Sequence, residues 1–136
     1  MEKLLLCLFL FMPAAVFAQT DFQLPDGSSI QAYLALPEPG QEALPLAIVM
    51  GGGSGDGRIA ESTFNSLGQQ FASHGWAVAT PVSPNGQSFW GDNAEKVRQL
   101  IDLLKARTEV ADGPVILAGI SNGWKSLHRI RRNILA

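Results

Sequence analysis

The sequence predicts an α/β domain with a mostly parallel sheet, opened by an antiparallel hairpin and flanked by helices on both faces. Three observations carry that prediction. The apolar runs at 44–50, 76–80 and 114–118 have the continuous hydrophobicity of strands buried on both faces. Stretches with helical spacing separate them, and strand–helix alternation is the pattern of a parallel sheet. Glycine motifs follow the first and third of these runs, at the strand ends where such sheets bind ligands.

Of the 136 residues, the first eighteen are set aside from the fold. Lys3, the unbroken apolar run Leu4 to Phe11, and small residues at Val16 and Ala18 together read as a secretory signal peptide cleaved after Ala18. The run is far shorter than the roughly 20 residues that span a bilayer, so no membrane span is expected after cleavage. Cys7 lies inside that run, which leaves the mature chain without cysteine. An exported protein with no disulfide must hold itself together by burying apolar surface. Its expected place is secreted or periplasmic. A formal net charge of −2 gives no electrostatic reason to expect nucleic acid or an anionic membrane as partner. Residues 19–123 form the domain, and 124–136, with Lys125, Arg129, Arg131 and Arg132 and no acidic residue, form an atypical basic tail.

In chain order, Phe22 to Leu24 and Ile30 to Leu36 read as two strands around the turn Pro25-Asp26-Gly27. Pro37 to Gly40 is a loop, and the 44–50 strand runs directly into Gly51-Gly52-Gly53-Ser54-Gly55-Asp56-Gly57. Phe64, Leu67 and Phe71 recur at helical spacing between Ala60 and His74, and Gly75 supplies a left-handed stop. After the second strand and a loop at 81–91, Asp92 is expected to cap a helix with Glu95 three residues on. Val97, Leu100, Ile101 and Leu104 form the buried face of that helix.

The third strand leads into Gly119-Ile120-Ser121-Asn122-Gly123, a G-x-S-x-G sequence. A nucleophile pushed into a strained strand-to-helix turn leaves no room for neighbouring Cβ atoms, which is why glycines flank it. With this motif, the opening hairpin, Leu44 to Gly53, Ser73 to Ala79 and Ala118 to Gly123, the chain resembles the N-terminal half of an α/β-hydrolase. The layout is closest to the dienelactone-hydrolase-like and esterase branches. The resemblance implies a partial α/β-hydrolase fold with Ser121 as nucleophile. It also implies an oxyanion hole from the backbone N–H of Asn122 and one from the Gly51 to Gly53 loop, with Gly52 and Gly53 as candidates. Many members carry a histidine before the glycines, where this chain has Met50.

Other readings of the glycines fit less well. A phosphate-cradling loop needs Lys and then Ser or Thr after Gly57, where Arg58 and Ile59 stand. Gly55-Asp56-Gly57-Arg58-Ile59-Ala60 matches a loose dinucleotide pattern, yet no acidic residue ends the next strand. A plain flexible turn is the bland alternative. No metal or organic cofactor is implied, and the expected partner is a small ester-like substrate.

The resemblance also implies an acid and a histidine after the serine, in the order Ser, Asp or Glu, His. Thirteen residues follow Gly123 with no acid among them. His128 would lie about two turns along the next helix, pointing away from the hydroxyl. His74 reads as a helix C-terminal residue that suits the dipole. Trp124, where a small residue is normal, and the abrupt change of composition point to a reading frame shifted, or a chain cut, just after Gly123. The simpler alternative is a basic amphipathic helix with Leu127, Ile130 and Ile134 on one side. The expectation is therefore an exported serine hydrolase, impaired because its acid and base are missing. A noncatalytic fragment or binding module is the rival, and a third reading has another polypeptide supplying the missing half.

Overall fold

The computed structural model describes residues 16–135, apart from the side chains of residues 16–18, 124, 129 and 132–135. The apolar run Leu4 to Phe11 and Cys7 lie outside the described residues. Five strands form one mixed sheet in the order β1-β2-β4-β3-β5. β1 (Val16–Gln23) and β2 (Ser29–Leu36) make the antiparallel hairpin, with Phe22 opposite Ile30. β2 joins β4 (Ala77–Pro81) antiparallel, and β4, β3 (Leu46–Met50) and β5 (Ile116–Gly119) run parallel.

Every residue of β3 and β4 is buried, as their unbroken apolar sequences require. β5 departs from expectation. Ile116 is 38% exposed, because among the described residues β5 pairs with β3 alone and its other edge has no neighbour. The first strand is also longer than the apolar residues suggest. Exposed Gln19, Asp21 and Gln23 alternate with better-covered Thr20, Phe22 and Leu24, so one face of an edge strand points outward.

Helices cover both faces. On one side, α3 (Asp92–Lys105) and α4 (Asn122–Leu135) place Val97, Leu100, Ile101, Leu104, Leu127 and Ile130 against Ile30, Leu34, Ile48 and Met50. The expected apolar face of α3 is thus the one that packs. On the other side, Phe64 closes over Ala35, Ala47, Val49 and Val78, with Leu67 and Phe71 partly buried beside it. That covering helix has three parts: α1 (Gly57–Thr63), a π turn at Phe64–Gly68 and α2 (Gln69–Ser73). It starts three residues before the expected point, because Asp56 caps it by accepting from the Ile59 N–H.

α3 is capped differently from expectation. Gly91 is its N-cap, with φ 55, and no side chain caps it. Asp92 and Glu95 stand instead in the first turn, where their charge suits the positive end of the dipole. Glu95 bonds forward to Arg98 rather than back to the cap. No helix among the described residues is long and apolar enough to cross a membrane.

Candidate active site

Ser121 stands between β5 and α4 with φ 52, in the left-handed region that costs a residue with a side chain about 1–2 kcal/mol. The turn is held on both sides of it. The Ile120 N–H donates to the Met50 carbonyl at 3.1 Å, and the Gly123 N–H donates to the Ile120 carbonyl at 2.9 Å. Lys125 N–H reaches the Ser121 carbonyl at 3.3 Å, so the helix winds directly out of the turn. Ser121 itself is exposed.

Close packing explains the second glycine of the motif. A Cβ on Gly123 would lie 2.6 Å from the Met50 carbonyl oxygen and 2.7 Å from that of Gly51. Any side chain there would push α4 off the end of β3.

The loop after β3 sits against the serine. A Cβ on Gly52 would lie 3.1 Å from the Ile120 carbonyl oxygen and 3.2 Å from Ser121 Cβ, so this loop approaches by backbone alone. Gly53, with φ 55, turns its carbonyl toward the elbow and accepts from Asn122 Nδ2 at 3.3 Å. The N–H groups of Gly52, Gly53 and Asn122 donate to no backbone carbonyl among the described residues. Ser121, Asn122, Gly52 and Gly53, all expected from sequence to act together, are therefore neighbours in space. Further along the loop, the Ile59 N–H and then the Ser54 hydroxyl hold the Asp56 carboxyl below its usual range. That carboxylate serves as a helix cap.

A second wall comes from the loop between β4 and α3, which the sequence presented only as a connection. Ser83 N–H donates to the Gly55 carbonyl at 2.8 Å and Ser88 N–H to the Ser54 carbonyl at 2.7 Å. Buried Asn93 organises this loop from beneath, its Nδ2 donating to Asn85 Oδ1 at 2.7 Å and to the Ser88 carbonyl at 2.8 Å. The signal that could have found it is an asparagine seven residues after a Ser-Pro-Asn-Gly stretch, in the first turn of the following helix.

Neither described histidine reaches the serine. His74 is the C-cap of α2, its Nδ1 bonded to the Gln70 carbonyl at 2.7 Å. It precedes β4 whereas Ser121 follows the parallel β5, which places the two at opposite ends of the strands, about 16 Å apart along the strand direction. His128 lies seven residues along α4, about 10 Å down its axis. It lines a groove of about 580 Å³ with Ile101, Lys105 and Leu117, on the α3 side of the sheet.

Solved structures share this fold. DcsB, solved with its substrate analogue, superposes with a TM-score of 0.70 at 16% identity, over 85% of this chain and 41% of its own. XC6422 from Xanthomonas campestris, an α/β serine hydrolase without a lid, gives 0.65 at 20% identity over 87% and 56%. The chain has an α/β-hydrolase fold. Esterase Est22 matches it as well, with a TM-score of 0.64 at 16% identity, covering 88% of this chain and 40% of that one. The chain thus spans between two-fifths and just over half of the length of these neighbours. No protein-family model and no curated protein matches the sequence.

Proposed function

We propose that this chain carries the nucleophile and oxyanion parts of an exported serine hydrolase acting on a small ester or related carbonyl compound. The observation that carries the reading is Ser121 held at positive φ beside the Gly52 backbone. In the reaction, Ser121 Oγ attacks the ester carbonyl carbon and passes its proton to a base from solvent, which later returns it to the leaving alcohol. The oxyanion formed sits between the N–H of Asn122 and one from Gly52 or Gly53. Its collapse breaks the ester C–O bond, the alcohol leaves with a proton, and water then hydrolyses the acyl-enzyme to free acid and serine. Neither metal nor cofactor enters this scheme. Export, to a secreted or periplasmic location, is proposed from the leader up to Ala18.

The chain alone is proposed to be slow. Neither described histidine lies at Ser121, and removing the base of a triad costs roughly 10⁴-fold or more while the oxyanion site retains a residual effect. That same observation favours the alternative, a noncatalytic fragment or binding module. A fluorophosphonate probe separates the two. Slow phosphonylation of Ser121, located by peptide mass spectrometry, absent in Ser121→Ala and accelerated by added imidazole acting as the missing base, supports the hydrolase reading. Folded protein that never labels, with or without imidazole, leaves the noncatalytic reading.

A further inference from the structure

The proposed oxyanion donors belong to two segments, Asn122 at the start of α4 and the glycines after β3. The ladder that joins β3 to β5 ends at the pair Met50 and Gly119, so no regular pairing sets the spacing beyond it. Past that point the Ile120 N–H bond to Met50 holds the elbow to the strand end but not to the loop. Gly123 seats α4 on the Gly51 carbonyl, and two features span the gap beyond that residue. One is the close approach of Gly52, where an added Cβ would lie 3.1 Å from the Ile120 carbonyl oxygen and 3.2 Å from Ser121 Cβ. The other is the bond from Asn122 Nδ2 to the Gly53 carbonyl, joining residues 69 positions apart.

The pull on the far side of the loop is stronger. Two backbone bonds of 2.8 and 2.7 Å, from Ser83 and Ser88, draw Gly55 and Ser54 toward the loop before α3. Only the Asn122 amide opposes them among the described side chains. Sterics therefore set the lower bound of the gap, and this amide sets the upper bound. We infer that the Asn122 side chain is a positioning residue that fixes the width of the oxyanion site by latching the glycine loop to the nucleophile turn. The inference rests on the oxyanion reading above, and it gives Asn122 two tasks: its main-chain N–H faces the substrate oxygen, and its side chain places the other donor.

The test uses the full chain and compares Asn122→Ala and Asn122→Asp with wild type by fluorophosphonate labelling with imidazole present. Melting temperature and amide exchange of Gly52, Gly53 and Ser54 by NMR are measured on the same samples. Asn122→Ala is expected to label about tenfold more slowly, less than the 10²–10³-fold loss of a whole oxyanion donor. Its three loop amides exchange faster while its melting temperature is unchanged. Asn122→Asp is slow at pH 8, where a carboxylate faces the Gly53 carbonyl. Its rate relative to wild type recovers toward pH 4, where the protonated carboxyl donates in the amide's place. A purely structural asparagine would not produce that pH profile. Wild-type labelling rates and unchanged loop exchange in both variants overturn the latch. A wild type that does not label overturns the hydrolase reading alone, since the exchange measurement still decides whether the loop is latched.

Discussion

Gly123→Ala sets two effects of opposite sign against each other at one atom. Within a helix, alanine is favoured over glycine by about 1 kcal/mol. The added Cβ, however, would lie 2.6 Å from the Met50 oxygen and 2.7 Å from the Gly51 oxygen, both backbone atoms with no rotamer to change. Relief means moving α4 off β3 by about 0.4 Å to reach 3.0 Å, or 0.8 Å to reach an ordinary 3.4 Å contact. Overpacking of this kind costs about 1–3 kcal/mol, so with the helix gain set against it the net expectation is a loss of about 0–2 kcal/mol in urea unfolding. Because α4 carries Asn122 and anchors Ser121, the same shift lengthens the 3.3 Å Asn122 bond beyond hydrogen-bonding range. A displacement approaching 1 Å in a catalytic constellation costs about 10²-fold, so phosphonylation of Ser121 should fall by tenfold or more. A Gly123→Ala protein that is as stable as wild type and labels as fast would refute the close-packing account of the motif.

Other perturbations isolate single features. Ser121→Gly should raise stability by about 1 kcal/mol while abolishing labelling, because glycine tolerates the φ of 52 that serine bears at a cost; Ser121→Ala keeps the Cβ and should gain nothing. An equal unfolding midpoint for the two variants would remove the claim of strain. The Ser28 hydroxyl and N–H, with Gln99, hold the Asp26 carboxyl below its ordinary value of 3.8. A carboxyl lowered on folding contributes stability that is complete above 3.8 and is lost as pH falls through its lower folded value. Urea midpoints of wild type should therefore drop below pH 4, and Asp26→Asn should lose less over the same interval; parallel curves would contradict this. Ile116→Lys, on the open side of β5, should reduce light scattering on concentration without changing the melting temperature. Unchanged scattering would show that this strand edge is not where copies associate.

The elements legible in the sequence are those that bury apolar residues in a regular period. The strands at 46–50 and 77–81, the stripe Val97, Leu100, Ile101 and Leu104, and the hairpin turn each follow from a pattern that one local principle accounts for. What escaped depends on partners distant in the chain. β1 extends back to Val16 because Tyr33 to Leu36 offer it a ladder, although Gln19 and Asp21 hide the strand in a polar sequence. Gly91 replaces Asp92 as the cap of α3, because the incoming loop is bent by Asn93 and Ser88 into a path that only the glycine's positive φ completes. β5 reads from sequence as a buried strand from Pro114 to Ala118, yet its exposure depends on how many neighbours the sheet provides.

The candidate site divides along the same line. G-x-S-x-G and the glycines after β3 mark where backbone must come close, and close approach by backbone leaves a trace in composition, so Ser121, Gly52, Gly53 and Asn122 could be named from sequence. What holds those residues at a working distance leaves no such trace. The Asn122 side chain, the Ser83 and Ser88 N–H groups and the buried Asn93 act through single hydrogen bonds between segments, and each is a common polar residue in an unremarkable place. Gly123 shows why the two kinds of information meet in one structure. Its missing side chain lets α4 lie on the Met50 and Gly51 carbonyls. Only at that separation does the Asn122 amide reach the Gly53 carbonyl, at 3.3 Å. The glycines therefore set the distance at which the asparagine can work, and substitution at 123 and at 122 should be non-additive: once Gly123→Ala has opened the gap, Asn122→Ala removes a bond already broken. A double variant that labels at the product of the two single effects, rather than at the rate of Gly123→Ala alone, would separate the two residues and leave the latch without its physical basis.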